Sequence, residues 1–241
     1  MYAHLIARAM KGKIAVWLFF LFIPAISFAQ QWTFQAGVNL TSFDFVTSSG
    51  ATLSGIKAGS GNLYAMQYQR KLVDTAALLL KSSPKVIYFN QNPKIAKLLG
   101  KIKWGIELNI NQYNAVGDAV NMAYSYQTDY IGISPSIQLT QKLYKGFSVQ
   151  ANALLQLSQL LHGNQWVNNR FMDLRNDKQF NGIQGFGGFQ IGLQQVISDQ
   201  LWLSIAYRQV SSLTAMQSQG TTLSINPSSF VFGIIIQPLK N

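Results

Sequence analysis

Cysteine does not occur in this chain of 241 residues. Its absence excludes disulfide staples, thiolate-held structural metals and a lipid anchor on an N-terminal cysteine. Charge is also scarce: Asp, Glu, Lys and Arg total 11%, about half the share of an ordinary soluble domain. Acidic residues are the rarer kind, 8 against 19 Lys and Arg, for a formal charge of +11. The cations are spread along the chain, with one local cluster at Lys94, Lys97, Lys101 and Lys103. With no recognition helix or zinc pattern beside them, they do not make nucleic acid an expected partner. Long apolar runs are missing too. Beyond residue 29 nothing matches the roughly 20 residues that a membrane-spanning helix needs, so a membrane home would have to be reached with strands.

The N-terminus has a different character. Arg8, Lys11 and Lys13 precede an apolar run from Ile14 to Ile26, and Ser27-Phe28-Ala29 supplies a small-x-small pattern ahead of Gln30. The run of about 13 residues is too short to span a bilayer. Residues 1–29 therefore read as an export signal removed after Ala29. Removal takes three cations with it and leaves 212 residues (241 − 29) with a charge of +8 (16 − 8).

What the rest of the chain has in quantity is alternation. In "IKWGIELNI", Ile102, Trp104, Ile106, Leu108 and Ile110 are apolar, whereas Lys103, Gly105, Glu107 and Asn109 are small, polar or charged. Period two is the signature of a strand. It recurs over Trp32 to Leu40, Tyr64 to Tyr68, Ile131 to Leu139, Phe147 to Leu157, Phe189 to Leu193, Leu201 to Tyr207 and Phe230 to Ile236. In the second of these, Tyr64, Met66 and Tyr68 oppose Asn62, Ala65 and Gln67, and Leu63 departs from the pattern. The result is about eight segments of a length that crosses a bilayer as a tilted strand, and an allowed number for a closed barrel.

The polar face decides the medium. A soluble sandwich turns Lys, Glu, Asp and Arg outward for solubility. Here the polar set is Gln, Asn, Ser, Thr and Gly, which suits a narrow wet bore where amides bond one another. The Ile, Leu, Val, Phe and Trp set suits lipid. The connections point the same way. Links over 41–60, 114–124, 159–181 and 211–222 read as long outer loops, and those over 142–146 and 196–200 as tight inner turns, the asymmetry of bacterial outer-membrane barrels. One link breaks the rule: 72–101 should be tight and is long. Short helices over Thr75 to Leu80 and Ile95 to Leu99 would make it a partly helical, amphipathic periplasmic insert, able to rest on the inner leaflet or under the barrel mouth. An extra strand over Lys85 to Phe89 and an excursion packed on itself are the alternatives.

The opening "WTFQAGVNLTSF" after the export signal, with its Gly37-Val38-Asn39-Leu40 strand, resembles the small outer-membrane β-barrel proteins of Bacteroidetes, the outer membrane protein beta-barrel domain family. The resemblance covers the pattern of 30–241 and implies no catalytic residue. The chain departs from many such proteins by closing Ile236-Gln237-Pro238-Leu239-Lys240-Asn241 rather than on an aromatic; Phe230 and Phe232 are the residues expected to serve in its place.

Few residues invite chemistry. His162 is the single histidine after residue 29, in "LHGNQWVNNRFMDLRND". Ser158 lies four residues before it, and Asp173 or Asp177 are candidates to orient its ring, yet the spacing fixes no geometry and no catalytic residue is expected. Scattered Asp with one His make no metal set, and no cofactor is expected. "GFGGFQIG" sits inside an alternating strand and is not a nucleotide loop. Glu107 and Arg208 occupy predicted lumen positions. A buried lone charge is costly, so they are expected to pair, or to join Lys103, across the interior. Trp166, Arg170, Phe171, Met172 and Arg175 form either a recognition surface on an outer loop or an aromatic girdle.

The expectation is an all-β, eight-stranded antiparallel transmembrane barrel in the bacterial outer membrane, over 30–241, with the insert at 72–101 between its second and third strands. Its expected role is non-catalytic: structural or surface-binding, contacting outer-membrane lipid, and a subunit of an envelope assembly through 72–101. A small-solute channel, a lipid-modifying enzyme and a soluble lipocalin-like carrier are the alternatives.

Overall fold

Alternation becomes a cylinder because each strand has one face that water rejects, and closing the sheet pairs every edge. The computed structural model describes residues 30–52, 55–72, 98–119, 122–167, 170–177, 179–213, 216–218 and 221–237. They form β1 (Gln30–Thr47), β2 (Ile56–Lys71), β3 (Ile102–Ala119), β4 (Met122–Lys142), β5 (Phe147–Val167), β6 (Arg170–Asp173), β7 (Ile183–Val196), β8 (Leu201–Ser212), β9 (Met216–Ser218) and β10 (Thr221–Ile236). Eight of these make the wall in the order β1-β2-β3-β4-β5-β7-β8-β10, and β1 pairs antiparallel with β10 from Trp32↔Ile236 to Thr47↔Thr221, which closes it. β6 and β9 are short flaps, on β5 and β10. The export signal over 1–29 and most of the expected insert, 73–97, with its candidate helices and the candidate strand over 85–89, lie outside the described residues.

The two faces sort as the alternation predicts. Leu108, 52% accessible, and Phe232, 65%, stand on the outside with Phe34, Val38, Ile106, Ile110, Ile133, Ile137, Leu155, Ile191 and Ile205. Gln35, Gln67, Asn109, Ser134, Gln138, Asn152, Gln190 and Gln194 are buried in the bore. The inner face has little room: a Cβ on Gly132 would stand 2.5 Å from Ser158 Oγ and 2.6 Å from Asn109 Oδ1, so glycine there makes space for amide side chains. One assignment is corrected. On β2 it is Asn62 that lies on the outer face with Tyr64, while Leu63 is buried in the bore beside Ala65 and Val231. Strict period two admits no exception at Leu63, and the apolar contact with Val231 stabilises it there.

The two ends differ. The turns Leu143–Gly146 and Ile197–Gln200 are short, as expected. At the other end the anticipated long loops are largely strand: β1 runs to Thr47 and β2 starts at Ile56, Ala119 still pairs with Met122, and β5 reaches Val167. These ladders persist because the inner face changes character. Above Thr41 the bore holds Phe43, Phe45, Tyr113, Ala115, Tyr130, Leu154, Leu174, Phe180, Phe186, Val210, Leu223 and Ile225 as one buried apolar cluster. At the same height the outer face turns polar, with Ser42 paired to Asn226 and Gln112 to Asp129. Inside-out amphiphilicity thus reverts to the ordinary kind along single strands.

Candidate functional site

The bore is organised around one ion pair. Glu107 on β3 and Arg208 on β8 are far apart in sequence yet meet across the interior, each 2% accessible. Arg208 donates from Nη1 to Glu107 Oε1 (2.9 Å) and from Nη2 to Oε2 (2.7 Å), a bidentate fork that fits a carboxylate. Two further donors are used as well: Nε reaches Gln190 Oε1 at 2.8 Å and Nη2 reaches Gln35 Oε1 at 2.9 Å. Asn109 Nδ2 donates to Glu107 Oε1 at 2.9 Å and also to Ser134 Oγ at 2.8 Å. Charges so matched and bonded can remain ionised in a confined bore. The groups placed at Glu107 and Arg208 from sequence are therefore brought together. Lys103 is not among them: nearer the turn end, its Nζ donates to Gln31 Oε1 at 2.5 Å and lies 5.9 Å from the ring centre of Trp202. On β3 the inner-face position between Lys103 and Glu107 is Gly105, where a Cβ would stand 2.9 Å from Gln69 Cγ, so the Gln69 side chain occupies the space between them.

Above the ion pair the apolar cluster caps the bore. Tyr113 packs on Tyr130 and Phe186 with ring centres 5.6 and 5.7 Å apart, and Tyr126 stacks on Phe180 at 5.9 Å. Phe180 and Leu174 come from the segment between β6 and β7, folded down into the mouth. This cap was missed from sequence, although a signal exists. In "VNLTSFDF" the apolar residues change parity, from Val38 and Leu40 to Phe43 and Phe45, and a change of parity within one strand means a change of medium.

The candidate Ser-His pair is not formed. Ser158 is buried in the bore and takes a bond from Gln156 Nε2, whereas His162 is exposed beyond an irregularity in the β4–β5 register. His162 Nδ1 stands 3.8 Å from Asp129 Oδ2, and Asp173 is engaged by Arg175 instead. Among the described residues no three His, Cys, Asp or Glu side chains converge as metal ligands.

Trp166, Arg170 and Phe171 lie on the β5–β6 flap, with Trp166 opposite Phe171 in the ladder and their rings edge-on at 5.5 Å. Trp166 is 48% accessible, and Phe171 and Met172 are exposed beside it. Position 166 is seven residues past Gln159, which pairs with Ile131 at the last apolar level of β4. That places the flap about 20 Å further along the strand. Arg175 is not a free cation. Its Nε and Nη2 donate to Asp173 Oδ2 at 2.9 and 2.6 Å, and these side-chain hydrogen bonds are the main cause of an Asp173 pKa lowered to about 2 from 3.8. A carboxylate so depressed favours the flap above its ordinary pKa and loses that contribution as pH falls through about 2. Carboxyl NMR should accordingly show Asp173 titrating near 2, and a midpoint near an ordinary Asp value would show the ion pair to be absent in solution.

No family model and no curated protein sequence matches the chain. Solved structures of similar shape do exist. Neisserial surface protein A (NspA) has 9% identity and a TM-score of 0.46, over 86% of this chain and 97% of that one. The outer membrane protein OprG from Pseudomonas aeruginosa has 11% identity and a TM-score of 0.46, over 88% and 97%. Ail, the attachment invasion locus protein of Yersinia pestis, in complex with the heparin analogue sucrose octasulfate, has 10% identity and a TM-score of 0.35, over 85% and 98%. At such identities and scores these likenesses bear on neither binding nor activity.

Proposed function

We propose that the chain is an integral protein of the bacterial outer membrane with a non-catalytic role: a sealed barrel that holds a rigid platform, the extended strands and the β5–β6 flap, at the cell surface. The observation that carries this reading is the reversal of amphiphilicity along β1, β3, β4 and β10. It defines a greasy belt between two wetter zones, with the tight turns and Gln30 at the periplasmic end. The capped bore, its ion pair and its amide packing favour display over conduction. Within the family resemblance drawn from Gly37-Val38-Asn39-Leu40, such a barrel contacts outer-membrane lipid through the belt. Trp166, Arg170 and Phe171 are the exposed surface for a protein or glycan, with Arg175 holding the flap through Asp173. The segment 72–101, between β2 and β3 in the sequence, is the proposed periplasmic contact with an envelope partner.

Extraction tests the membrane assignment. The chain should stay with washed envelopes in alkaline carbonate and enter solution with detergent; recovery from periplasm without detergent would refute it. Phe232→Arg, in the middle of the belt, should cost about 2–4 kcal/mol of barrel stability, whereas Gln127→Arg beyond it should cost almost nothing. Equal effects in folding titrations into phospholipid vesicles would count against a lipid-facing belt. Planar bilayers should record no conductance steps from the purified protein, and steady single-channel openings would favour the channel alternative.

A further inference from the structure

The periplasmic rim is chemically one-sided. Among the described residues it carries Arg70, Lys71, Lys101, Lys103, Lys142 and Lys145, against the carboxylate of Asp199. Two of these cations flank a cavity of about 290 Å³, lined by Lys142, Tyr144, Lys145, Phe147, Val196 and Trp202. The β4–β5 turn that forms one wall is held in place. Phe147 N–H donates to Tyr144 O at 3.0 Å, Leu143 N–H to Phe147 O at 2.9 Å, and Val196 N–H at the end of β7 to Gly146 O at 3.0 Å.

The turn places a lysine where the backbone disfavours one. Lys145 has φ of 45° and Gly146 of 81°; among the described residues Lys145 is the one non-glycine in the left-handed region. Asn-Gly is the natural pair for such a two-residue hairpin, because asparagine tolerates that conformation better than lysine does. A residue held against its preference points to use of its side chain, and here the ammonium lies 5.1 Å from the Tyr144 ring centre. The tip is also greasier than a turn in open water needs to be: Tyr144 is 71% accessible, and Leu143, Phe147 and Ile197 are exposed beside it. Cations set among exposed aromatic and aliphatic groups suit the headgroup layer, where phosphates meet the first carbons of the acyl chains.

We propose that this cavity binds the phosphate of an anionic phospholipid in the inner leaflet, with Lys142 and Lys145 holding the phosphate and Tyr144 and Phe147 forming apolar walls for the glycerol backbone. The site rests on the membrane reading above, and it would tie the register of the barrel in the bilayer to the lipid composition of the inner leaflet.

Native mass spectrometry of the full chain in detergent, titrated with dioleoylphosphatidylglycerol or dioleoylphosphatidylcholine, tests it. The wild type should retain phosphatidylglycerol in preference to phosphatidylcholine. Lys145→Asn should lower phosphatidylglycerol retention about fivefold, and Lys142→Gln combined with Lys145→Asn about 25-fold. Because asparagine suits the left-handed turn, Lys145→Asn should leave thermal stability unchanged or raised, which separates loss of a ligand from loss of fold. Equal retention of the two lipids by the wild type, or unchanged retention by the double variant, would overturn the site. Displacement of the lipid by millimolar inorganic phosphate would show a free-anion site and overturn the lipid as its source. Failure of the membrane reading looks different, since such a protein would leave the envelope without detergent before any lipid was added.

Discussion

Replacing Arg208 with methionine is expected to destabilise the barrel by about 3–5 kcal/mol, because it leaves Glu107 ionised in a confined bore without its counter-charge. The variant loses the fork to both Glu107 oxygens and strips Gln190 and Gln35 of their donor. Guanidinium unfolding in detergent micelles, followed by tryptophan fluorescence, reads the loss directly. The rescue is more diagnostic than the damage. Glu107→Leu added to Arg208→Met removes both charges, and a buried pair replaced by apolar groups of similar size is often neutral. The double variant should therefore recover most of the lost stability. A single variant as stable as wild type would mean that water reaches Glu107 freely, and the picture of a packed bore would fail with it.

The second large effect belongs to the cap. Phe186→Ala should cost about 3–5 kcal/mol, the range for deleting a fully buried aromatic ring, since Phe186 is fully buried against Tyr113. Its location matters as much as its size. Hydrogen exchange should quicken in the ends of β3, β4, β7 and β10 that carry the cap, while the amides around the ion pair keep their protection, because the cap is a separate buried cluster. A loss under about 1 kcal/mol would mean that the cluster is loosely packed, since well-packed aromatic deletions do not cost so little. Uniform acceleration along whole strands would show instead that cap and belt unfold as one unit.

Much of this was legible in the chain because strand amphiphilicity is local. Trp104, Ile106 and Leu108 against Gly105, Glu107 and Asn109 needs no partner to be read, and the scarcity of Lys and Glu on the polar face announced a bore rather than a solvated surface. The outer loops were misjudged for a related reason. Reading each strand for one apolar parity stops at Leu40 or Ile110, where the parity changes, and the further ladder through Phe43 and Tyr113 looks like loop. Leu63 was the same problem at a single position. The Ser158–His162 spacing would put both side chains on one face of a regular strand, but the register irregularity at Asp129/Tyr130 turns His162 outward while Ser158 stays in the bore.

Sequence alone determined that this chain alternates, that its greasy residues share one face, and that the tight turns lie over 142–146 and 196–200, because such features depend on neighbours one to four positions away. Tertiary structure alone decided that Glu107 takes Arg208 and leaves Lys103 to Gln31, that aromatic rings from β1, β3, β4, β7 and the β6–β7 segment converge into a cap, and that Lys142 and Lys145 open onto a cavity with Trp202. Those contacts join residues 101 positions apart in the ion pair, and 137 apart (180 − 43) where Phe43 meets Phe180. They are set by closure and by the stagger of the strands around the barrel, which no single segment encodes.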